Sequence, residues 1–558
     1  MISLYTRSVA LIFLLLVPVI TFGIYVWENA VNMPYADDEA LLFTLNYIYE
    51  HPEGLLRSLI QQHNDHRIFF SRLAGVVINF FSGTMNFRTM IIFGYLNLIL
   101  LGHSFFLIYR SFRKDYLFFL PVSILLFSPI VYCTQLWSIT AFEQTLSIAF
   151  SLYSLYFLQL EKIKMWYVSI PFAIAATMAN LDGMSVIPIA LFWLIIQKRK
   201  KESLIFGLFS IVYCYVFFLG FRFSSASHFP PVSQFLSVVL KGFVALSGSI
   251  VKVLSDSHGY QMALIAGAFI LLVYIFFTAL KFYKVSGRQG TKYQINLTEI
   301  CFFKVLACVL MIALGRSGDD AESILSIRFQ IYSASIFVMF YLFILNNLKQ
   351  IKLEKLFFLS FLIATIMLNL LAYTKYKNAV RVHNDELIVD SYNYPVHGIF
   401  LHQYIPTPDP EADFYDHYRF PVFFEKAMIS NWIQQLQMQK EQIKASFKSE
   451  TVKISPDFPG SLYPIVRIEL SNLPAVIPRR EIYLVLFDKN KKTFMVAVKP
   501  PNSGWFNLFF GKNRQGSFLS AAFPKKMAGD LYDVALCWTS DNIPHSLLVA
   551  RNITFNPK

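Results

Sequence analysis

Residues 8–27 read SVALIFLLLVPVITFGIYVW, a run of 20 positions with no charged side chain that follows Arg7 and ends before Glu28 and Asn29. A bilayer core about 30 Å thick needs about 20 apolar residues of helix to cross it, so this run is long enough to span. No small-residue cleavage site precedes Glu28, and the run therefore reads as a retained signal anchor whose start lies in the cytoplasm. Ten further apolar runs follow, at about Arg88 to Tyr109, Tyr116 to Tyr132, Ala141 to Leu160, Met165 to Asn180, Gly183 to Gln197, Leu204 to Phe221, Gln261 to Leu280, Leu297 to Leu314, Phe329 to Leu345 and Leu356 to Thr374. The expectation is an α-helical polytopic membrane protein with about 11 transmembrane helices.

The composition agrees. Of 558 residues, 55% are hydrophobic, 17% aromatic and 15% charged, against about 25% charged in a soluble domain. The 57 Phe and 30 Tyr suit lipid-facing surfaces and interfacial belts. A net charge of +14 would point to nucleic acid in a soluble protein. Here the basic residues gather in alternate loops: Arg7; Arg110, Arg113 and Lys114; Lys162 and Lys164; Lys198 to Lys201; Lys281, Lys284, Arg288 and Lys292; Lys349, Lys352 and Lys355. The positive-inside rule makes that side cytoplasmic, which excludes a nucleic-acid reading. The five cysteines offer neither a disulfide framework nor a CxxC zinc pattern.

This parity requires that Ile68 to Phe81, which is short, and Phe235 to Leu254, which is interrupted by Lys241, Gly242, Gly248 and Lys252, do not span. Both read as helices at the outer interface, apolar face in lipid. The hairpin Met165 to Gln197 has short arms, bracketed by cytoplasmic charge and turned by Asn180, Leu181, Asp182 and Gly183. After Thr374 the sequence becomes ordinarily polar, so residues 1–374 are expected to form the transmembrane domain and 375–558 an extracytoplasmic α+β, β-rich domain. In the latter, Phe424 to Phe447 carries helical apolar spacing at Met428, Trp432, Leu436 and Met438. Alternating runs such as Val466 to Leu470 and Ile482 to Leu486 read as strands.

Ionisable residues at a membrane edge are costly and mark function, and in this chain they collect at the outer face. The first outer loop reads Met33-Pro34-Tyr35-Ala36-Asp37-Asp38-Glu39-Ala40, followed by an amphipathic helix with Leu41, Leu42, Leu45, Ile48 and Tyr49 on one face. Asp37 and Asp38 suit a general base for a hydroxyl or a metal ligand; the same residues can instead cap the helix. In His63-Asn64-Asp65-His66-Arg67, Arg67 suits a phosphate, and His63 or His66 can position a leaving group, the alternative being a polar turn. A metal read from the two histidines lacks a third ligand nearby. Glu143 lies at the mouth of an apolar helix as a second acid, or as a snorkelling helix-end charge, and Asp182 is a further candidate that also suits a plain turn. Arg316 and Arg328 flank the last outer loop, where an anionic ligand explains basic residues on the outer side and pairing with Asp319 or Asp320 is the alternative.

Taken together, these features resemble the GT-C class of glycosyltransferases, multispanning enzymes that use polyprenyl-phosphate sugars, such as the aminoarabinose transferases of lipid A and the protein O-mannosyltransferases. Ala36-Asp37-Asp38-Glu39 is similar to the acidic motif after the first span of that class, Leu41 to Tyr49 with Ile68 to Phe81 to its interfacial helices, and Phe235 to Leu254 to a later one. By the same likeness Glu143 takes the place of the second acid. The strings His66-Arg67-Ile68, Gly315-Arg316 and Ser326-Ile327-Arg328 are similar to those of bacterial members, including serotype-converting O-antigen glucosyltransferases. Phe329 stands where the class has Tyr, and the C-terminal domain carries no such likeness.

The resemblance implies transfer of a sugar from a polyprenyl-phosphate donor to a cell-envelope glycan or lipid, such as lipopolysaccharide, at the outer face of the bacterial inner membrane, with inversion. Asp37 or Asp38 would be the base, Arg67, Arg316 and Arg328 the phosphate ligands, and a divalent ion between Asp38 and Glu143 an optional cofactor. A lipid-linked glycan polymerase or ligase, or a lipid or sugar transporter, are the alternative readings.

Overall fold

The computed structural model describes residues 4–160, 165–222, 230–255, 257–286, 294–318, 323–397, 401, 432, 444–453, 462–471, 482–488, 493–498, 518–524, 531–540 and 543–554. The chain divides into two compact units. Met1–Glu28, Ala40–Met85 and Thr89–Tyr373 form the first; Asn29–Glu39, Asn86–Arg88 and Thr374–Lys558 form the second.

Sixteen α-helices are described: α1 (Leu4–Asn29), α2 (Glu39–Glu50), α3 (Leu55–Ile60), α4 (Phe69–Ser82), α5 (Phe87–Arg110), α6 (Leu120–Leu126), α7 (Tyr132–Leu136), α8 (Ser138–Gln159), α9 (Ser169–Ala179), α10 (Val186–Ile196), α11 (Lys200–Phe218), α12 (Val232–Ser247), α13 (Gly259–Ser286), α14 (Leu297–Gly315), α15 (Gln330–Asn347) and α16 (Ile351–His397). Among the described residues, eight stretches are long and apolar enough to cross a membrane: α1, α5, Tyr116–Leu136, α11, α13, α14, α15 with its lead-in turn, and α16. A membrane-embedded, polytopic protein follows from these eight.

The other three expected spans are built differently. Helix α8 has 22 residues, but Ser138, Thr140, Glu143, Gln144, Thr145, Ser147, Ser151 and Ser154 are all buried along it, so protein rather than lipid covers its polar side chains. The hairpin arms, counted with their 3-10 turns, are Trp166–Ala179 and Leu181–Ile196, about 21 and 24 Å long at 1.5 Å per residue. Both fall short of a core about 30 Å thick. Its turn needs glycine for space, because a Cβ on Gly183 would sit 2.1 Å from the Ala176 carbonyl oxygen. At Gly248 the chain likewise comes so close to α13 that a Cβ would meet the Ala263 carbonyl oxygen at 2.1 Å, and there α12 ends and a 3-10 turn, Ser249–Leu254, begins.

Helix α4 is amphipathic in an inverted sense. Val77, Phe80 and Phe81 are exposed, whereas Ser71, Arg72 and Asn79 are buried, so the polar side turns into the protein and the apolar side is left for lipid. Helix α2 buries Leu41, Leu42 and Leu45 and leaves Tyr49 exposed, with the Tyr49 hydroxyl accepting a 2.7 Å hydrogen bond from Asn79 Nδ2.

In the second unit the strands β3 (Lys444–Lys453), β4 (Leu462–Ser471) and β7 (Phe518–Pro524) form one antiparallel sheet in the order β3-β4-β7. The strands β5 (Ile482–Phe487), β6 (Thr493–Ala497), β8 (Leu531–Ser540) and β9 (Ile543–Thr554) form another in the order β6-β5-β8-β9. Side chains alternate across a strand, and here both sides of the four-stranded sheet are apolar. Leu484, Leu486, Val496, Val534 and Leu536 pack with Ile468 and Leu470 of β4; Tyr483, Val485, Met495, Ala535 and Cys537 pack with Val389 and Tyr392 of α16 and with Trp432. Asn393 ties the helix to β6, its Nδ2 donating to the Met495 carbonyl at 2.8 Å and its Oδ1 accepting from the Met495 N–H at 2.9 Å.

The helix expected over Phe424 to Phe447 is corrected at its end. Trp432 is helical, but from Lys444 onward the chain is strand β3, with Phe447 opposite Ile468. Ten consecutive pairings with β4, from Lys444–Ser471 to Lys453–Leu462, outweigh a helical apolar spacing. Residues 424–431 and 433–443 lie outside the described residues. Asp319 and Asp320 also lie outside them.

Candidate functional site

Within the first unit, Gln62–His63 (β1) and His66–Arg67 (β2) form a minimal hairpin turned by Asn64 at a φ of 48°, a left-handed conformation that asparagine tolerates well. The hairpin is anchored to the end of α11. Gln62 Oε1 accepts from the Arg222 N–H at 3.0 Å. Arg67 donates to the Phe217 carbonyl at 2.7 Å and to the Ile60 carbonyl, with its guanidinium 5.0 Å from the Phe217 ring centroid. These are last-turn carbonyls that no helical N–H reaches, so Arg67 acts as a cap.

His66 faces the two other arginines. Desolvation first, then His63, Arg316 and Arg328, pull its imidazole down to about 4, against an opposing pull from Asp65. The imidazole is therefore neutral and able both to donate and to accept at neutral pH. Arg316 follows the last residue of α14, and Arg328 lies in the 3-10 turn Ile327–Phe329 that leads into α15. Their guanidinium carbons are 5.9 and 4.9 Å from the Phe329 ring centroid, and Arg328 is also 5.6 Å from that of Trp137. Arg328 is only 6% exposed, and Thr134 Oγ1 fixes its backbone by donating to its carbonyl at 2.8 Å.

Glu143 is buried on α8 and stabilises the charge of Arg72 on α4. It also faces the Tyr332 hydroxyl on α15, which in turn faces Asp182. Asp182 is buried at the tip of the α9–α10 hairpin. Its Oδ1 accepts from Ser147 Oγ at 2.9 Å, and its carbonyl accepts from Lys304 Nζ at 3.3 Å. The Lys304 ammonium also donates to Cys308 Sγ at 2.7 Å. Sequence reasoning missed Arg72, Lys304 and Tyr332. The signal was available for the two cations, since Arg72 and Lys304 each interrupt an apolar run and a charge there is expensive without a partner.

The first-loop acids belong to the second unit. Asp38 is 1% exposed, and its Oδ2 accepts from the Tyr35 N–H at 3.0 Å, while its own N–H donates to the Tyr35 carbonyl at 3.0 Å. The residue between them and the acids, Ala36, has a φ of 46°, a conformation costly for a side chain with a Cβ. Tyr35 meets His383 of α16 edge to face, with ring centroids 4.6 Å apart. Asp37 is half-buried, and among the described residues its carboxylate makes no hydrogen bond or ion pair. The capping alternative therefore applies to Asp38, and Asp37 keeps a carboxylate available for chemistry.

Among the described residues no group of three or more His, Cys, Asp or Glu side chains is placed to bind a metal, and Asp38 already serves the backbone. All five cysteines are free thiols. Compared with known proteins, the chain matches no family model, no curated protein sequence and no solved structure.

Proposed function

We propose that the protein is an integral membrane glycosyltransferase that takes a sugar from a polyprenyl-phosphate donor and passes it to a cell-envelope glycan or lipid at the outer face of the inner membrane. The observation that carries this reading is the meeting of Arg316 and Arg328 on one ring beside a neutral His66. Two fixed guanidinium groups with an uncharged hydrogen-bonding partner suit a phosphate monoanion or dianion, for which Arg offers a planar fork. Arg316 and Arg328 receive the leaving phosphate and stabilise the charge that develops on it. The acceptor hydroxyl gives up its proton to a general base. A single displacement at the anomeric carbon inverts its configuration. Polyprenyl phosphate is a good leaving group, so the step draws on no nucleotide.

The test is release of polyprenyl phosphate by the purified protein from a synthetic short-chain polyprenyl-phosphate sugar, together with glycan mass spectrometry of a deletion strain. Loss of a sugar decoration in the strain and turnover in vitro are the expected results. No turnover with any envelope acceptor, with an unchanged glycan profile, overturns the reading and leaves a transporter as the better account.

A further inference from the structure

Within the second unit, one short length of α16 is packed by two partners. From residue 383 to residue 388 it meets the acidic loop: the Tyr35 ring stands edge-on to His383 at 4.6 Å between centroids, Asn384 Nδ2 donates to Asn29 Oδ1 at 3.4 Å, and Val31 and Met33 pack on Leu387, with Ile388 against them. From residue 388 to residue 393 it meets the sheet. Val389 and Tyr392 pack with Tyr483, Val485 and Met495, again with Ile388 against them. The Tyr392 hydroxyl pairs with Thr493 Oγ1, and Asn393 makes its two bonds to the Met495 backbone. This length of helix covers only about 15 Å, and Ile388 belongs to both contacts.

The loop needs this support. Ala36 sits at a φ of 46°, a left-handed conformation that a residue with a Cβ keeps only where its surroundings over-determine it. The local restraint is the reciprocal pair between Tyr35 and Asp38, and Tyr35 is in turn held by its ring on His383. Between α1 and α2 the regular structure of the loop is the 3-10 turn Ala36–Asp38, and a segment with so short a run of backbone bonds opens easily unless its neighbours hold it. Two states are therefore available, the turn held left-handed and the turn relaxed to negative φ. Contact with α16 favours the first.

We propose that the C-terminal sheet sets the conformation of Ala36-Asp37-Asp38 through residues 383–393 of α16, so that the β-rich domain is a control element for the two acids. The coupling holds whatever chemistry the acids serve, and so goes beyond the glycosyltransferase reading. Sheet contacts order the helix segment, the ordered segment holds Tyr35, and Tyr35 with Asp38 keeps the turn. Coupling between two sites is reciprocal. A partner that engages the sheet shifts the acids in proportion to its preference for one state of the turn, and a ligand that engages the acids tightens the sheet.

Hydrogen exchange of the full-length protein in nanodiscs, read by mass spectrometry, tests both directions. Asn393→Ala removes both bonds to Met495. The amides of Asn29–Glu39 are then expected to exchange at least about 5-fold faster, while those of β4, on the other face of the sheet, stay within about twofold of the parent. Tyr35→Ala, which takes the ring off His383, should speed exchange of Thr493–Ala497 by at least about 5-fold, and it keeps the test open where Asn393→Ala fails to fold. Ala36→Gly adds a readout that a simple loss of packing would not move. Glycine takes positive φ at no steric cost, so Ala36→Gly combined with Asn393→Ala should return the loop most of the way to its parental exchange. Unchanged exchange of the loop in Asn393→Ala, or of Thr493–Ala497 in Tyr35→Ala, overturns the coupling, and so does a rise shared equally by β4, which is unfolding of the whole domain. A loop that stays fast with Ala36→Gly overturns the turn as the element that switches.

Discussion

Asp38 closes a reciprocal pair with Tyr35, its Oδ2 accepting from the Tyr35 N–H and its own N–H donating to the Tyr35 carbonyl, both at 3.0 Å. Its neighbour Asp37 makes no such bond among the described residues. Two adjacent carboxylates that look alike in sequence therefore have different work. Asp37→Asn should keep the melting temperature and lose transfer activity by on the order of 100-fold or more, the usual scale for a missing general base. Asp38→Ala should lower stability by about 1 kcal/mol, the usual cost of a lost cap. Activity and thermal unfolding measured on both variants check this; an active Asp37→Asn variant removes it as the base.

Arg316→Lys and Arg328→Lys keep the charge but lose the fork. Each is expected to raise the KM for the polyprenyl-phosphate donor by about 10-fold, with the larger effect at buried Arg328. Arg67→Lys should leave donor KM unchanged and lower stability instead, because Arg67 is bonded to the Phe217 and Ile60 carbonyls. Steady-state kinetics with a synthetic donor separate the two groups.

His66 gives a pH dependence with a definite sign. Its imidazole is held down at about 4 in the folded protein, against about 6.5 when unfolded. The unfolded chain thus binds the extra proton first as pH falls. The contribution of His66 is fully present above about pH 6.5 and is lost as pH drops toward about 4. A His66→Asn variant should show a flatter melting temperature between those pH values than the parent. Parallel slopes would show that His66 is not sheltered.

The hairpin tip tests the packing. Gly183→Ala places a Cβ 2.1 Å from the Ala176 carbonyl oxygen, whereas Gly315→Ala meets nothing within 4 Å. Gly183→Ala should fail to give monodisperse protein in detergent, and Gly315→Ala should behave as the parent in size-exclusion profiles.

Orientation is open to reporter fusions. Those after Arg113, Lys200, Arg288 and Lys352 should report cytoplasm, and those after Gln62, Ser257 and Lys558 the outside, as the basic loops require. A cytoplasmic C-terminus would reverse the parity and remove the outer-face reaction.

Local composition by itself determined the membrane character and the strand positions. The run 8–27 partitions into lipid whatever its neighbours are, because transfer from water depends on the side chains of the run alone. Val466 to Leu470 and Ile482 to Leu486 became strands β4 and β5 because period-two alternation suits a pleated sheet. Tertiary structure alone decided which polar groups meet. At the tip of the hairpin Asp182 finds Ser147 and Lys304 inside the protein. Arg67 turns to the end of α11, and Phe447 turns from a helix into a ladder with Ile468. Arg316 and Arg328 share the Phe329 ring, and Arg72 finds Glu143. A buried polar group must take its partner from whatever the fold brings beside it, and for Asp182 the partner Lys304 stands 122 residues away along the chain.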